Sequence, residues 1–554
     1  METKRENSGN NFVRQAVILA FAGIFARILG FVYRVPLTDL IGDDGNAIYG
    51  VSFDIYAFLL ILSSAGLPAA IAKMVAERRA AGRADQAHRV FRLALTLAAG
   101  IGFILSVFTF IFARQIATFM NFPEATLALQ LLTPTVFIVA IMAVFRGYFQ
   151  GMANTKPTAF SQIIEQIFNA VLSIILAHSL WNFAISREFD EFAYGAAGGT
   201  LGSTLGAVAG LLAILGLYFL LRKDIMRSVY ASSKRRRTIS QSRNDSGAEP
   251  TSVLVKTIFA TSFTIILGTA IFSVANLSDT LIVTNRLQDA GFDESHAREL
   301  LGQLKGKFYT ITNIPAAITS ALAIAIIPAI SAANAIGNRI DVHNKINTGM
   351  RVGMFITIPI AFGLAVLGPQ ITELLFPNHP EGGTLFTWGF VSVIFLGISQ
   401  ITTGVLQALG KAIVPIYAAL LGAVAKIVSN LILIGIPEIN IYGAVIGTTI
   451  CFSLAATVNC VYLFKYTCAK FDLKGIIIKP IFASVAMGMG VYTFYHITNI
   501  LIGRNAPATI IAIVVGAVFY AIFMLLLKGI GEEEILYLPF GKKILRIMQQ
   551  NGII

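Results

Sequence analysis

The sequence predicts an all-α membrane protein that crosses the bilayer about fourteen times. Of its 554 residues, 56% are hydrophobic and 13% are charged, about half the charged share of a soluble domain. Its mean hydropathy is +0.75, and apolar runs of about 20 residues, enough to span a bilayer, recur along the whole chain. Because lipid cannot satisfy an unpaired backbone, runs of this length predict helices.

The apolar runs and the charges between them predict a topology. The charged connections alternate, and most of the 42 lysines and arginines lie in one set that includes both termini. The positive-inside rule therefore predicts a multi-pass plasma-membrane protein with both termini in the cytoplasm. The net charge of +13 is explained by topology and by contacts with anionic lipid, so no nucleic-acid partner is expected. The runs are centred near residues 24, 60, 102, 139, 169, 207, 271, 321, 357, 396, 423, 453, 489 and 518.

Four short stretches of the first half recur in the same order in the second half. An even number of helices in each half predicts a parallel repeat, two six-helix bundles that enter from the same side. An arginine follows the first stretch in each half, Arg92 and Arg351. The matching stretches are "GLPAAIAK" (66–73) with "IIPAISAA" (326–333), "QGMANTKP" (150–157) with "QALGKAIVP" (407–415), "EQIFN" (165–169) with "KIVSN" (426–430), and "YGAAGGT" (194–200) with "YGAVIGT" (442–448).

The repeat and the loop composition predict four regions. Residues 1–221 form the first six-helix bundle and residues 222–256 a basic, Ser-rich cytoplasmic linker that is expected to be flexible. Residues 257–466 form the second bundle, and residues 467–554 a terminal pair of helices and a cytoplasmic tail.

The first apolar run contains two arginines. Arg27 and Arg34 are seven residues apart, so their side chains leave one face of a helix. A charge at membrane depth costs at least about 2.5 kcal/mol, so each arginine needs a partner, a wet cavity or an anionic substrate. The alternatives are that Arg34 snorkels at the interface and that Arg27 pairs with a carboxylate.

Three longer stretches resemble a known family. "ARILGFVYRVPLTDLIGDDGNAIYG" (26–50), "LSSAGLPAAIAKMVAERRAAGR" (62–83) and "FRGYFQGMANTKPTAFSQIIEQIFN" (145–169) are similar to the Gram-positive polysaccharide-transport branch of the MOP exporter superfamily. This branch includes stage V sporulation protein B and the MurJ-type lipid II flippases. The resemblance extends over essentially the whole chain, including two helices after the twelve-helix core.

The resemblance implies a flippase. Such a protein moves an undecaprenyl-pyrophosphate-linked glycan precursor, lipid II first among them, from the inner to the outer leaflet by alternating access. It is not an enzyme and needs no cofactor. Its expected partners are the anionic lipid-linked precursor and membrane lipids. A monomer is expected, and cell-wall synthesis proteins are candidate partners.

The resemblance also implies a substrate site. Arg27 falls on the first cavity arginine of the family, followed by the matching Gly30, whereas Arg34 lies one residue beyond the second. Both would bind pyrophosphate, because the guanidinium fork matches phosphate oxygens. Gly30 would let a bulky head group approach, or would serve close helix packing. Arg146 would meet the incoming pyrophosphate, or would be an ordinary positive-inside residue.

An intramembrane polar network is predicted as well. Glu165 and Asn169 form a stripe in the first bundle, and their repeat counterparts are Lys426 and Asn430. Asp279, preceded by Asn276, supplies a carboxylate in the second bundle. We hypothesise that Lys426 pairs with Asp279 and stands in for a sodium ion that the resemblance places in that bundle. The alternative is a static buried pair that fixes helix register.

Two other functions are considered. A drug/cation antiporter of the same superfamily would use an acid such as Glu165, but the arginines of the first helix oppose a cationic substrate. A membrane glycosyltransferase would need an acid, base or metal cluster in an external loop. "FDESHARELLGQLKGK" (292–307) has acids and a histidine but no metal-ligand spacing, so a loop helix is predicted there instead. The Gly-rich stretch 194–210 is predicted to pack helices rather than to bind phosphate.

Overall fold

The fold was examined in a computed structural model that describes residues 2–243, 249–467, 471–529 and 546, with all their side chains except those of 2–17, 20, 235–243, 264 and 265. All regular structure in these ranges is helical, which confirms the predicted all-α class. The predicted cytoplasmic tail lies largely outside the described residues. By their internal contacts, residues 1–281 and 282–554 form two compact units.

The first unit contains seven helices and the start of an eighth. Its helices are α1 (Glu2–Ser64), α2 (Leu67–Ala80), α3 (Ala84–Ile111), α4 (Ala113–Phe119), α5 (Ala125–Gly151), α6 (Lys156–Ser186), α7 (Glu191–Arg243) and the first part of α8 (Thr251–Asp289).

The second unit contains the end of α8, eight further α-helices and two short π-helical segments. These elements are α9 (Glu294–Gly302), a π-helix (Gln303–Phe308), α10 (Tyr309–Ala335), α11 (Arg339–Leu375), α12 (Thr384–Ala408), α13 (Ile413–Leu433), α14 (Tyr442–Thr467), a second π-helix (Lys474–Ile478), α15 (Lys479–Ile502) and α16 (Asn505–Leu526).

Thirteen helical stretches among the described residues are long and apolar enough to cross a membrane. The first, Phe21–Ala80, has 60 residues, about three times the length that one crossing needs, and it is kinked within α1 and interrupted between α1 and α2. It contains two of the predicted centres, near residues 24 and 60, and each other stretch contains one. The predicted set of about fourteen crossings is confirmed, and the chain is a multi-pass membrane protein.

The polar stretch 39–47 is a kink inside α1, although the charge pattern predicts a connection between helices there. Gly42 has φ 67°, a left-handed conformation that favours glycine. The Asn46 side chain donates hydrogen bonds to the carbonyls of Gly42 (2.6 Å) and Thr38 (2.9 Å). Because Asn46 satisfies the carbonyls that the kink releases, the chain continues as a helix without a loop.

The basic linker is helical over residues 222–243, where its composition predicts a flexible segment. Helix α7 continues to Arg243 because Ile225, with Met226 and Val229 beside it, packs on the core of the first unit. The Ser232 hydroxyl also donates to the Asp85 carboxylate (3.0 Å). The chain becomes helical again at Thr251.

The boundary between the units falls within α8 and not in the linker, because the start of α8 belongs to the first core. Leu254 and Ile258 join the same apolar cluster as α3, α5 and α7. One turn later Ser262 lies against Gly66, where an added Cβ would be 2.5 Å from the Ser262 Cα.

Close packing of α6 and α7 explains the Gly-rich stretch. Gly198, Gly202, Gly206 and Gly210 recur every fourth residue and face α6. A Cβ at Gly202 would lie 2.2 Å from the Ser173 nitrogen, so the two backbones touch. The prediction of small-residue helix packing is confirmed.

The two units repeat the same local packing. In the first unit α7 packs on α5 and α6, and α5 packs on α2 and α3. In the second unit α14 packs on α12 and α13, and α12 packs on α10 and α11. The equivalent pairs occur in the same chain order, as the parallel repeat predicts.

The terminal pair α15 and α16 packs on α11. Met487 and Val491 of α15 and Ala512 of α16 share an apolar cluster with Leu367 of α11. The Tyr520 hydroxyl donates to the Phe355 carbonyl (2.8 Å). This pair therefore forms an addition to the second unit, as predicted.

Candidate functional site

Arg34 has an unusual position in the first unit. Its guanidinium carbon lies 3.9 Å from the centre of the Tyr49 ring, beyond the kink of the same helix. Such stacking on an aromatic face stabilises a cation. Its Nη1 atom is buried and has no hydrogen-bond partner among the described residues, and the Tyr49 hydroxyl is in the same situation. Arg34 therefore retains donor capacity that the described protein groups do not use.

Arg27 and Gly30 lie on the same helix before the kink. The Arg27 side chain is exposed, whereas that of Arg34 is half-buried. A Cβ added at Gly30 would meet no atom of the described residues within 4 Å, so close packing does not explain this glycine. The arginine-bearing surface is open at this position, and its role in binding stays a prediction.

Arg146 and Glu165 form an ion pair inside the first unit. The Arg146 Nη2 atom donates to the Glu165 Oε2 at 2.6 Å, and its Nε atom donates to the Ser161 hydroxyl at 3.1 Å. Both side chains are largely buried, at 14% and 19% exposure. Arg146 was predicted to bind substrate and Glu165 to belong to a polar network, and the structure brings these two residues together.

Asn169 is the centre of a hydrogen-bonded group where α6 meets α7. Its Oδ1 atom accepts from the hydroxyls of Ser173 and Ser203, each at 2.9 Å. The Ser173 hydroxyl is also 2.9 Å from the Gly199 carbonyl. The polar stripe predicted on α6 therefore includes residues of α7, which sequence spacing alone does not indicate.

The second unit has a lysine at the position equivalent to Glu165. Lys426 is buried, with its Nζ atom 3.5 Å from the Tyr309 hydroxyl and 5.7 Å from the centre of that ring. The same hydroxyl lies 3.4 Å from that of Thr448. Asn430 is fully buried one turn from Lys426, and its Oδ1 atom would be 2.0 Å from a Cβ at Gly447.

Asp279 and Asn276 lie on α8 within the residues of the first unit. Asp279 is buried and Asn276 is exposed. Lys426 belongs to the second unit, and its pairing with Asp279 stays a prediction. Near Asp279, the Thr280 hydroxyl is 3.4 Å from the Asp54 carboxylate.

Two lysines of the second unit, Lys305 and Lys307, are buried although the sequence does not predict it. Lys305 and Lys307 lie in the π-helix Gln303–Phe308, and the Lys307 Nζ atom donates to the Glu381 carbonyl at 3.0 Å. Both lysines lie at the end of the segment 292–307 in which a loop helix is predicted; its first part is α9, and the helical structure continues through both lysines into α10. Their charge suggested an exposed loop, and only the three-dimensional structure shows that the chain buries them.

Asp293 begins α9 and lies outside the membrane-spanning stretches. The Ser295 hydroxyl and the His296 backbone N–H both donate to its carboxylate and hold the pKa of Asp293 below its usual value. A carboxylate that bonds the first N–H groups of a helix acts as its N-cap. Asp293 therefore has a local structural role, which explains one acid of this loop without any catalytic function.

Comparison with known proteins gives relatives over the full length of the chain. Stage V sporulation protein B of Bacillus subtilis is 28% identical, with 97% of this chain and 99% of the relative covered. Lipid II flippase MurJ of the same organism is 23% identical, with 93% of this chain and 94% of the relative covered.

Solved structures show the same fold at low identity. A multidrug resistance MATE family transporter of the MOP superfamily, in its inward-facing conformation, has a TM-score of 0.66, 16% identity and coverage of 80% of this chain and 95% of its own. Lipid II flippase MurJ in an inward closed conformation has a TM-score of 0.63, 16% identity and coverage of 92% and 98%. At this identity the likeness establishes the fold alone.

Two family models match the sequence. The model for lipid II flippase MurJ matches residues 309–381. The model described as polysaccharide biosynthesis protein matches residues 12–334, more than half of the chain. The predicted membership of the MOP exporter superfamily is confirmed, and the chain belongs to the polysaccharide biosynthesis protein family.

Proposed function

We propose that this chain is a flippase that moves an undecaprenyl-pyrophosphate-linked glycan precursor, lipid II first among them, from the inner to the outer leaflet of the plasma membrane by alternating access. The proposal is supported by relatives over the whole chain, one of which is a lipid II flippase. It is also supported by the chemistry of the first helix, where arginine is the main charged residue of an apolar stretch.

The environment of Arg34 carries the proposal. A buried donor without a partner costs about 1–3 kcal/mol, and a charged group costs more. A pyrophosphate oxygen would satisfy the Nη1 atom of Arg34, while the Tyr49 ring holds the guanidinium plane. Gly30, one turn earlier with open space before it, leaves room for a head group.

Arg146 would bind the substrate by exchanging its Glu165 partner for the pyrophosphate. Its guanidinium is bound to Glu165 and Ser161, so a pyrophosphate must compete with a carboxylate for it. Phosphate and carboxylate accept hydrogen bonds from the same guanidinium fork, so a pyrophosphate can compete with Glu165 for Arg146. The membrane potential can drive export, because moving about two negative charges out of an inside-negative cell releases about 4.6 kcal/mol at 100 mV.

The same ion pair weighs against a drug/cation antiporter. Such a protein needs an acid that binds the cation, and the candidate acid Glu165 is bound to Arg146. The structural roles of the acids in residues 292–299 argue against a glycosyltransferase. Asp293 caps α9, and Glu294 pairs with Arg298 at 2.6 Å.

The test is flipping of labelled lipid II in proteoliposomes that contain the full chain. Arg34→Gln should lower the initial rate about ten- to a hundredfold, because it removes a charge-assisted hydrogen bond. Arg34→Lys should retain part of the rate. Arg114→Gln, an exposed arginine of α4, is the matched control and should be unchanged. Wild-type protein that leaves lipid II in its original leaflet would refute the substrate.

Lys426 forms a second part of the proposal, in which its ammonium takes the place of a sodium ion. The support is its burial beside the Tyr309 hydroxyl and Asn430, at a position where the first unit has an acid. Flipping should then proceed at the same rate when potassium replaces sodium, and Lys426→Asn should make it sodium-dependent. A strict sodium requirement of the wild type would contradict this.

A further inference from the structure

Arg92 and Arg222 are among the arginines of the first unit whose side chains have no hydrogen bond or ion pair within the described part of the chain. Arg92 lies on α3 and Arg222 on α7, and both side chains are exposed. Two other arginines nearby are bound. Arg78 pairs with Glu249, and Arg89 donates to the Thr251 hydroxyl at 2.6 Å. Arg92 and Arg222 are therefore available to a ligand.

The sequence places both arginines at the same membrane interface. Arg92 directly precedes the apolar run 93–112, and Arg222 directly follows the apolar run 192–221. Helices α3 and α7 pack on each other, and the Phe91 and Tyr218 rings are 5.7 Å apart. Each arginine lies next to, or one turn from, one of these rings, so both arginines lie where the apolar runs of two adjacent helices meet their charged continuations.

Both arginines act electrostatically on the same two side chains, His88 of α3 and Tyr218 of α7. The Phe91 ring of α3 contacts aromatic rings of both α5 and α7. The Phe91 ring is 4.3 Å from that of Tyr148, and the Tyr148 hydroxyl is 3.2 Å from the His88 Nδ1 atom. Both arginines are therefore near an aromatic cluster that includes the buried rings of Phe91 and Tyr148.

Exposed apolar surface continues from this arginine pair toward the membrane. Phe219 and Leu220 follow Tyr218 directly and are 61% and 77% exposed. A ligand that uses both surfaces must be an amphiphile with an anionic head group and an apolar chain. A soluble phosphate would use the arginines alone.

We propose that Arg92 and Arg222, with Tyr218 between them, bind the phosphodiester head group of an anionic phospholipid. The guanidinium groups bind the phosphate oxygens from two sides, and one acyl chain lies along Phe219 and Leu220. The site is distinct from the arginines of α1 and is independent of the proposed substrate. Its lipid anchors α3 and α7 at the membrane interface.

The test uses the full chain, purified in detergent and titrated with phosphatidylglycerol or phosphatidylcholine while bound lipids are counted by native mass spectrometry. The double variant Arg92→Gln/Arg222→Gln should lower phosphatidylglycerol affinity about thirtyfold and leave phosphatidylcholine unchanged. Lys223→Gln/Arg227→Gln removes the same charge from exposed positions of α7 and should change the affinity less than threefold.

Three results would overturn the proposal. They are equal losses in the two double variants, equal loss of both lipids, and displacement of phosphatidylglycerol by millimolar inorganic pyrophosphate. If Arg92→Gln/Arg222→Gln does not give a monodisperse protein, Arg92→Lys/Arg222→Lys replaces it. That variant keeps the charge without the guanidinium fork and should lose affinity by about threefold to tenfold.

Discussion

The two units have similar helix packing but different charges at equivalent positions. In the first unit Glu165 pairs with Arg146 at 2.6 Å. In the second unit Lys426 replaces the acid. The repeat aligns Gln150 with Gln407, and four residues earlier Thr403 stands at the position equivalent to Arg146. The Thr403 hydroxyl accepts a hydrogen bond from the Asn459 side chain at 3.1 Å. The two replacements are consistent with each other, because a lysine beside an arginine would repel it.

The packing around Glu165 in the first unit and Lys426 in the second is the same, although the charges of these two residues differ. Asn169 and Asn430 are both buried one turn after the exchanged residue. Each lies against a helix with glycine at the point of contact, Gly206 in the first unit and Gly447 in the second. The repeat therefore conserves a scaffold in which backbones touch, and it leaves the interior charge to vary.

The largest expected effect comes from breaking the ion pair of the first unit. Glu165→Gln leaves the Arg146 charge buried and uncompensated and should lower the free energy of unfolding by about 3–5 kcal/mol. Glu165→Lys should be worse, and Arg146→Thr/Glu165→Lys, which imports the pattern of the second unit, should recover most of the loss. Denaturant titration in detergent measures all three.

The exposed acid Glu188, in the turn after α6, provides the control for this series. Glu188→Gln should change stability by less than about 0.5 kcal/mol. If Arg146→Thr/Glu165→Lys were no more stable than Glu165→Lys, the charges of the two units would not be exchangeable, and the comparison would fail.

A smaller effect is expected at the glycine contacts that both units share. Gly202→Ala should cost about 1–3 kcal/mol, because the new Cβ would overlap the Ser173 backbone. Gly447→Ala should cost a similar amount beside Asn430. Gly216→Ala is the control on α7, since an added Cβ there meets no described atom within 4 Å. A neutral Gly202→Ala, measured by thermal unfolding, would contradict the close approach.

The smallest effect distinguishes the repeat-equivalent arginines Arg92 and Arg351. Arg351 donates to the Asp472 carboxylate at 2.8 Å, whereas Arg92 has no such partner in the described residues. The Gly475 backbone N–H, and then Arg351, hold the pKa of Asp472 below its usual value. The stability from this group is therefore present above about pH 4 and is lost as the pH falls through the folded-state pKa.

Asp472→Asn should cost about 0.5 kcal/mol at pH 7, because the pair is partly exposed. Its cost should fall as the pH is lowered below about 4 and vanish once the pH is below the folded-state pKa of Asp472, and thermal unfolding across that range measures the change. Arg114→Gln, at an exposed position of α4, should cost the same at every pH. A pH-independent cost of Asp472→Asn would show that the carboxylate charge does not contribute.

Much of the fold could be predicted because membrane spans depend on local composition. The fourteen apolar centres, the repeat and the glycine packing of α7 all follow from patterns within single segments. The helical linker was also visible in principle, because Ile225 and Val229 form an apolar stripe four residues apart among basic residues. Its Ser-rich composition favoured flexibility and concealed this pattern.

The pairings within the candidate site could not be predicted. Arg146 and Glu165 lie on different helices, and their distance depends on how those helices pack. The stacking of Arg34 on Tyr49 depends on the kink at Gly42, which brings together residues fifteen positions apart. Charge identifies which residues need partners, but only packing decides which partners they find.

The bend in α1 has a mechanical consequence. Asn46 ties together the carbonyls of Gly42 and Thr38 from inside the protein, so straightening the helix would sacrifice two hydrogen bonds at once. The kink at Gly42 is therefore stabilised by these bonds and does not act as a hinge. Arg34 and Tyr49 lie on either side of this kink, so the kink keeps the guanidinium stacked on the ring and we expect the two residues to move together.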